Sequence, residues 1–198
     1  MDIHGQYVII RHSIREPITD AKDSYRQRLT EEGILLAEKL GKKLSLHSDS
    51  FTFYHSPVPR CKETATSISK GISSNGKQTL EIKPFEPLAG FFYLNWEYCA
   101  ALMNQQDFTK KWFANEIPTD CIMPIKEAGN FMLNEITNQS NDSVTKIFVT
   151  HDWNVFCLRS LFFNSYEETE VPTYLEGIII SGDRLNFQIF KQEHFIHR

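Results

Sequence analysis

Four short strand-like runs, each followed by a polar segment and most by a stretch of helical periodicity, constrain this chain more than any other feature. Tyr7-Val8-Ile9-Ile10 contains no charged residue, the pattern of a strand buried on both faces of a parallel sheet. Phe51-Thr52-Phe53-Tyr54, Thr79-Leu80-Glu81-Ile82 and Lys146-Ile147-Phe148-Val149-Thr150 read as three more. Thr30-Glu31-Glu32 opens a helix in which Leu36, Leu40 and Leu44 recur at i+4, with Lys39, Lys42 and Lys43 toward the end that favours cations. Ser56-Pro57 caps a second helix running to about Ile72, because prolines 57 and 59 suit a first turn whose N–H groups have no intrahelical partner. Asn154 to Phe163 reads as a third helix. The alternation predicts an α/β fold, a three-layer sandwich around a mostly parallel central sheet.

Two apolar runs between Gly177 and Lys191 flank the turn-like Ser181-Gly182-Asp183-Arg184, so the chain is expected to finish in a hairpin or two edge strands. With 198 residues there is material for one substantial core, and residues 1–198 are read as a single domain. Residues 85–140 break the pattern. They hold Phe91, Phe92, Tyr93, Trp96, Tyr98, Trp112 and Phe113, and this stretch is read as an insertion near the site, more an accessory core than a substrate cage.

Twenty-one Lys and Arg against twenty-five Asp and Glu give a net charge of −4, which excludes the broad positive field that nucleic-acid or anionic-membrane binding needs. An anion site must be local. No run approaches the roughly 20 apolar residues of a membrane span, and the start shows no basic segment leading into an apolar one, so a cytoplasmic protein is expected. Cys61, Cys99, Cys121 and Cys157 form no CxxC pair and no dense framework, which points to neither structural zinc nor a disulfide scaffold.

In an α/β sheet, ligands bind beyond the carboxyl ends of the strands, and three polar segments fall there. Arg11-His12-Ser13-Ile14-Arg15-Glu16-Pro17 follows the first strand, His55-Ser56-Pro57-Val58-Pro59-Arg60 the second, and His151-Asp152-Trp153-Asn154 the fourth. Arg11, Arg15 and Arg60 suit a phosphoryl group, whose oxygens take bidentate guanidinium contacts beside a helix N-terminus. An imidazole kept neutral by these charges has a lone pair for attack on phosphorus, and a carboxyl can protonate the leaving alcohol. Reading His12, His55, His151 and Asp152 as metal ligands conflicts with three arginines that repel a cation, so neither metal nor cofactor is expected. His55 is a weaker candidate, and His4, His47, His194 and His197 have no supporting constellation.

These segments resemble the histidine phosphatase superfamily, which includes the phosphoglycerate mutases and the histidine acid phosphatases. Arg11-His12 after a strand looks like its signature, Ser56 to Ala65 like its second arginine segment, Thr150-His151 like its late histidine segment, and Leu29-Thr30-Glu31-Glu32-Gly33 like its helix opening. The resemblance implies a phosphoglycerate mutase-like fold, with His12 as nucleophile and Arg11, Arg15, Arg60 and His151 around the phosphate. In finer detail, Arg11 to Pro17 is similar to the acid phosphatase pattern RHGxRxP, and His151-Asp152-Trp153-Asn154 to its HDxN pattern, which makes Asp152 the proton donor. The mutase-like branch instead uses a glutamate after the third strand; Leu88 to Glu97 offers no carboxylate near its start, so Glu97 is the alternative donor. The implied activity is phosphomonoester hydrolysis through a phosphohistidine, on a phosphorylated small molecule or phosphopeptide. The alternatives are a mutase-like phosphotransferase and a phosphate- or phosphoprotein-binding module. Ser13 stands where glycine is usual, and its hydroxyl is expected either to bond the phosphate or to crowd it.

Overall fold

The apolar runs pair into a six-stranded sheet in a computed structural model that describes residues 6–18, 23–90, 94–95, 102, 107–139, 143–181 and 186–191. The strands are β1 (Tyr7–Arg11), β2 (Ser50–His55), β3 (Gln78–Pro84), β4 (Thr145–Thr150), β5 (Gly177–Ser181) and β6 (Asn186–Phe190), in the order β3-β2-β4-β1-β5-β6. β1, β2, β3 and β4 run parallel, while β5 lies antiparallel to β1 and β6 antiparallel to β5. The expected terminal hairpin strands are thus present; Gly182, Asp183 and Arg184 of its turn lie outside the described residues.

Among the described residues the longer helices are α1 (Glu31–Leu44), α2 (Pro59–Ser74), α3 (Phe108–Phe113), α4 (Ile125–Thr137) and α5 (Asp152–Ser160). Strand periodicity distributes β1 over two cores. Val8 and Ile10 join Leu40, Leu44, Ile68 and Ile72 of α1 and α2, whereas Tyr7 and Ile9 join Met132, Ile136, Val155 and Phe156 of α4 and α5. Helices therefore cover both faces, giving three layers. Trp112 of α3 and Ile125, Ala128 and Met132 of α4 are fully buried in the second of these cores. The later part of the 85–140 stretch thus supplies one face of the main sandwich; Phe91, Phe92, Tyr93, Trp96 and Tyr98 lie outside the described residues.

Two helix starts differ from the sequence reading. α2 begins at Pro59, two residues late, with Val58 as N-cap, a residue with no polar side chain to cap it, while the Ser56 hydroxyl meets His151 and accepts the Val58 N–H. α5 begins at Asp152 with His151 as its N-cap, so the aspartate sits in the first turn, where the helix dipole favours a negative charge.

α1 starts where expected: Thr30 Oγ1 accepts from the Gly33 N–H. Gly33 also explains the placement of the loop after β1. A Cβ there would lie 2.1 Å from the Ile14 carbonyl oxygen, so only glycine lets α1 approach that loop so closely. The loop is pinned by the Glu16 N–H to Arg28 O (3.0 Å) and the Thr30 N–H to Ile14 O (3.0 Å).

Candidate active site

Parallel register brings the carboxyl ends of three strands together: Arg11 pairs with Thr150, and His55 with Val149. β4 lies between β1 and β2, so the segments after all three surround a cleft of about 480 Å³. Arg11, His12, Arg15, Arg60, His151 and Asp152 all line it. His55 is buried at the end of β2 with Nδ1 against the Ser56 carbonyl (2.8 Å), and it does not line the cleft. Glu97 and Cys99 lie outside the described residues.

His12 is 3% exposed, and its two ring nitrogens have opposite surroundings. Nδ1 faces the Ser13 carbonyl at 2.8 Å and must carry the proton, while Nε2 accepts from Arg60 Nε at 3.0 Å and must hold the lone pair. Burial, then His151, then the Arg60 and Arg11 charges lower the His12 pKa to about 2, against the Ser13 carbonyl bond, which raises it. The ring is neutral at physiological pH.

His151 stands edge-on to it, ring centroids 5.6 Å apart. Its Nδ1 faces Arg60 Nη2 at 3.3 Å, and its Nε2 faces the Ser56 hydroxyl at 3.0 Å. Burial, followed by the Arg60 and Arg11 charges, brings its pKa down to about 3. Cys61 Sγ lies 3.8 Å from His151 Nε2, fully buried, and desolvation pushes this thiol up to about 12.

Arg60, in the first turn of α2, spans the two imidazoles and anchors its Nη1 on the Ser24 carbonyl (2.7 Å). Arg11 pairs with Asp152 (Nη2 to Oδ2, 3.0 Å) and donates to Pro172 O (2.9 Å); its buried Nε has no acceptor among the described residues. Asp152 Oδ1 also accepts the Trp153 N–H at 2.9 Å. Arg15 donates to the carbonyl of Glu16 (2.8 Å) rather than to a carboxylate.

Ser13 does not line the cleft. Its hydroxyl, expected to bond or crowd the phosphate, donates to Gly33 O (2.7 Å), and its N–H to Thr64 Oγ1 (3.0 Å), so the serine ties the loop after β1 to α1 and α2.

Tyr174 carries no sequence signal of its place beside the cleft. Its ring lies 4.3 Å from the Arg11 guanidinium carbon and 5.7 Å, centroid to centroid, from His12. The segment carrying it is fixed from beneath by buried Arg159, which donates to Glu170 O and Gly177 O at 3.2 Å each. Leu175, at φ 58°, turns the chain so that Glu176 O accepts the Arg11 N–H at 2.9 Å.

The fold is that of a known family. The histidine phosphatase superfamily (branch 1) profile matches residues 7–155, so the chain belongs to that family. Its phosphoglycerate mutase-like fold is seen in a phosphoglycerate mutase from Bacillus anthracis str. Sterne, at 14% identity and TM-score 0.62, covering 96% of this chain and 94% of that one. It is seen too in an Entamoeba histolytica phosphoserine phosphatase mutant bound to phosphoserine (17%, TM-score 0.59, 96% and 99% covered). A mycobacterial glucosyl-3-phosphoglycerate phosphatase with inorganic phosphate is likewise similar (12%, 0.58, 93% and 95%). A search of curated proteins finds no match.

Branch 1 is the mutase-like branch, and this corrects the acid phosphatase resemblance read from Arg11 to Pro17 and His151 to Asn154. The last position of the second motif has a structural reason to be asparagine. Buried Asn154 donates to Leu88 O (2.8 Å) and Thr150 Oγ1 (2.6 Å), tying the turn after β3 to β4.

Proposed function

We propose that the protein is a metal-independent phosphomonoester hydrolase working through a phosphohistidine on His12. The observation that carries this reading is the opposed pair of bonds on His12, Nδ1–H to a carbonyl and Nε2 from Arg60, which leaves Nε2 unprotonated among guanidinium groups. When a phosphate monoester enters, Arg60 turns from Nε2 to the phosphate oxygens, joined by Arg11, with its unused Nε–H, and Arg15. Nε2 attacks phosphorus and the ester P–O bond breaks. A proton from Asp152 goes to the departing alcohol oxygen. Water then attacks phosphorus, giving a proton to the Asp152 carboxylate as the N–P bond breaks, and phosphate leaves with the Nε2 lone pair of His12 restored. Once Arg60 has turned away, the Ser56 hydroxyl can donate to His151 Nε2, freeing Nδ1–H for a phosphate oxygen.

Branch membership favours a glutamate after β3 as the acid, whereas the residues lining the cleft favour Asp152. The turn after β3 brings Ala89 and Gly90 to the cleft, and Asp152 is the one carboxylate lining it among the described residues. A leaving-group series decides. Asp152→Asn is expected to be slow on alkyl phosphates, whose alkoxide needs a proton, and to lose far less on aryl phosphates that depart as phenolates. Equal losses across the series would transfer the role to Glu97.

Arg60→Ala is expected to lower kcat/KM by about 10²-fold or more, as for the loss of a preorganised donor where charge develops. Near-wild-type kinetics on the best substrate would remove Arg60 from the reaction. Phosphate release with no acceptor alcohol present separates hydrolysis from mutase-like transfer, which needs one.

A further inference from the structure

The walls around the phosphate groups define what the phosphate is attached to. Trp153 follows Asp152 directly and lines the cleft, held from behind by Phe108 (centroids 5.1 Å apart, planes at 19°) and by Trp112 (6.1 Å). Trp112 is itself fixed, its indole N–H donating to Met123 O at 2.9 Å. Ile18 and Tyr25 line the same cleft, 37% and 56% exposed, and offer apolar surface to a ligand beside Trp153. The charges are equally restrictive. Three guanidiniums, Arg11, Arg15 and Arg60, face the cleft, both histidines are neutral, and Asp152 is the one carboxylate among the described lining residues. That set suits a single phosphate monoester group. Beyond the arginines, the described lining includes Trp153, Tyr25 and Ile18.

We propose, resting on the phosphatase reading above, that the preferred substrate is a singly phosphorylated ester whose alcohol is a flat, uncharged ring system, with the ring packed against Trp153 and flanked by Ile18 and Tyr25. Aromatic contact and apolar burial hold the leaving group while the guanidiniums hold the phosphate. A polar substrate that carries its own carboxylate, as 3-phosphoglyceric acid or phosphoserine does, gains neither.

Non-hydrolysable phosphonates test this without the bias that aryl esters also react faster. Isothermal titration of the full chain should find phenylphosphonate binding at least about tenfold tighter than methylphosphonate or 3-phosphonopropionate, the discrimination expected of an apolar pocket. Tyr25→Ser, an exposed position, should shrink that ratio, and Trp153→Ala should shrink it further. Retained binding of inorganic phosphate shows that each variant is folded. A peptide carrying phosphonomethylphenylalanine, compared with phenylphosphonate, shows whether the ring arrives free or on a protein; tighter or equal binding of either supports the ring site. Equal affinity for all three small phosphonates, or a ratio unmoved in both variants, overturns the proposal while leaving the hydrolase reading intact. Ring-selective binding without any turnover of aryl phosphates would instead sink the hydrolase reading and keep the ring site.

Discussion

His12→Ala is expected to abolish turnover on every phosphomonoester, with losses of about 10⁴-fold or more, the scale seen when a covalent nucleophile is removed and only binding groups remain. Wild-type protein quenched with alkali during turnover should carry a phosphoryl group on His12, and that label should be lost in acid, because an N–P bond survives base better than acid. The variant should trap nothing. The loss should extend to every leaving group, since every ester needs the same attacking nitrogen. That distinguishes it from Asp152→Asn, whose defect should grow with the basicity of the leaving alkoxide. Label persisting in His12→Ala would place the covalent step on another residue.

The second large effect is on stability in acid. In the unfolded chain both histidines take up a proton near pH 6.5; in the folded protein His12 does so only near 2 and His151 near 3. Across that window the unfolded chain binds more protons, so stability is complete above about pH 6.5 and falls as pH falls. Each histidine contributes a slope approaching about 1.4 kcal/mol per pH unit, and together they can offset most of a domain's usual margin of about 5–15 kcal/mol before pH 3. Urea midpoints measured in phosphate-free buffer should therefore drop steeply between pH 6 and 4. Replacing either histidine by glutamine should flatten the drop by about half. An unchanged pH slope in both variants would mean that other groups govern acid unfolding.

Much of the fold was legible because its signals are local. A wholly apolar run such as Tyr7 to Ile10 can only be a buried element, and Thr30 with Gly33 marks a helix start by chemistry that needs no distant partner. The meeting of Arg11, His12, Arg60 and His151 followed from one further step, that parallel strands end on the same side. What stayed hidden depends on contacts across long stretches of chain. Tyr174 reaches His12 from the loop before β5, and nothing in its neighbourhood announces this. Ser56 before Pro57 reads as a helix cap, yet the helix starts at Pro59 and the serine hydroxyl meets His151, 95 residues away. The four-residue match around Asp152 misled on the branch because Asn154 serves packing between β4 and the turn after β3, a need that short motifs do not separate from catalysis.

The Cys61 thiol beside His151 sets how this cleft meets oxidants. A phosphatase that attacks through sulfur must keep a thiolate at its active site, and thiolates are what peroxides consume. On the proposed mechanism the acceptor atom is an imidazole nitrogen, and the neighbouring sulfur is fully buried with its proton held up to about pH 12. No cysteine lines the cleft among the described residues, so turnover through His12 is expected to survive hydrogen peroxide at levels that silence cysteine-based phosphatases, as phosphate release before and after treatment would show.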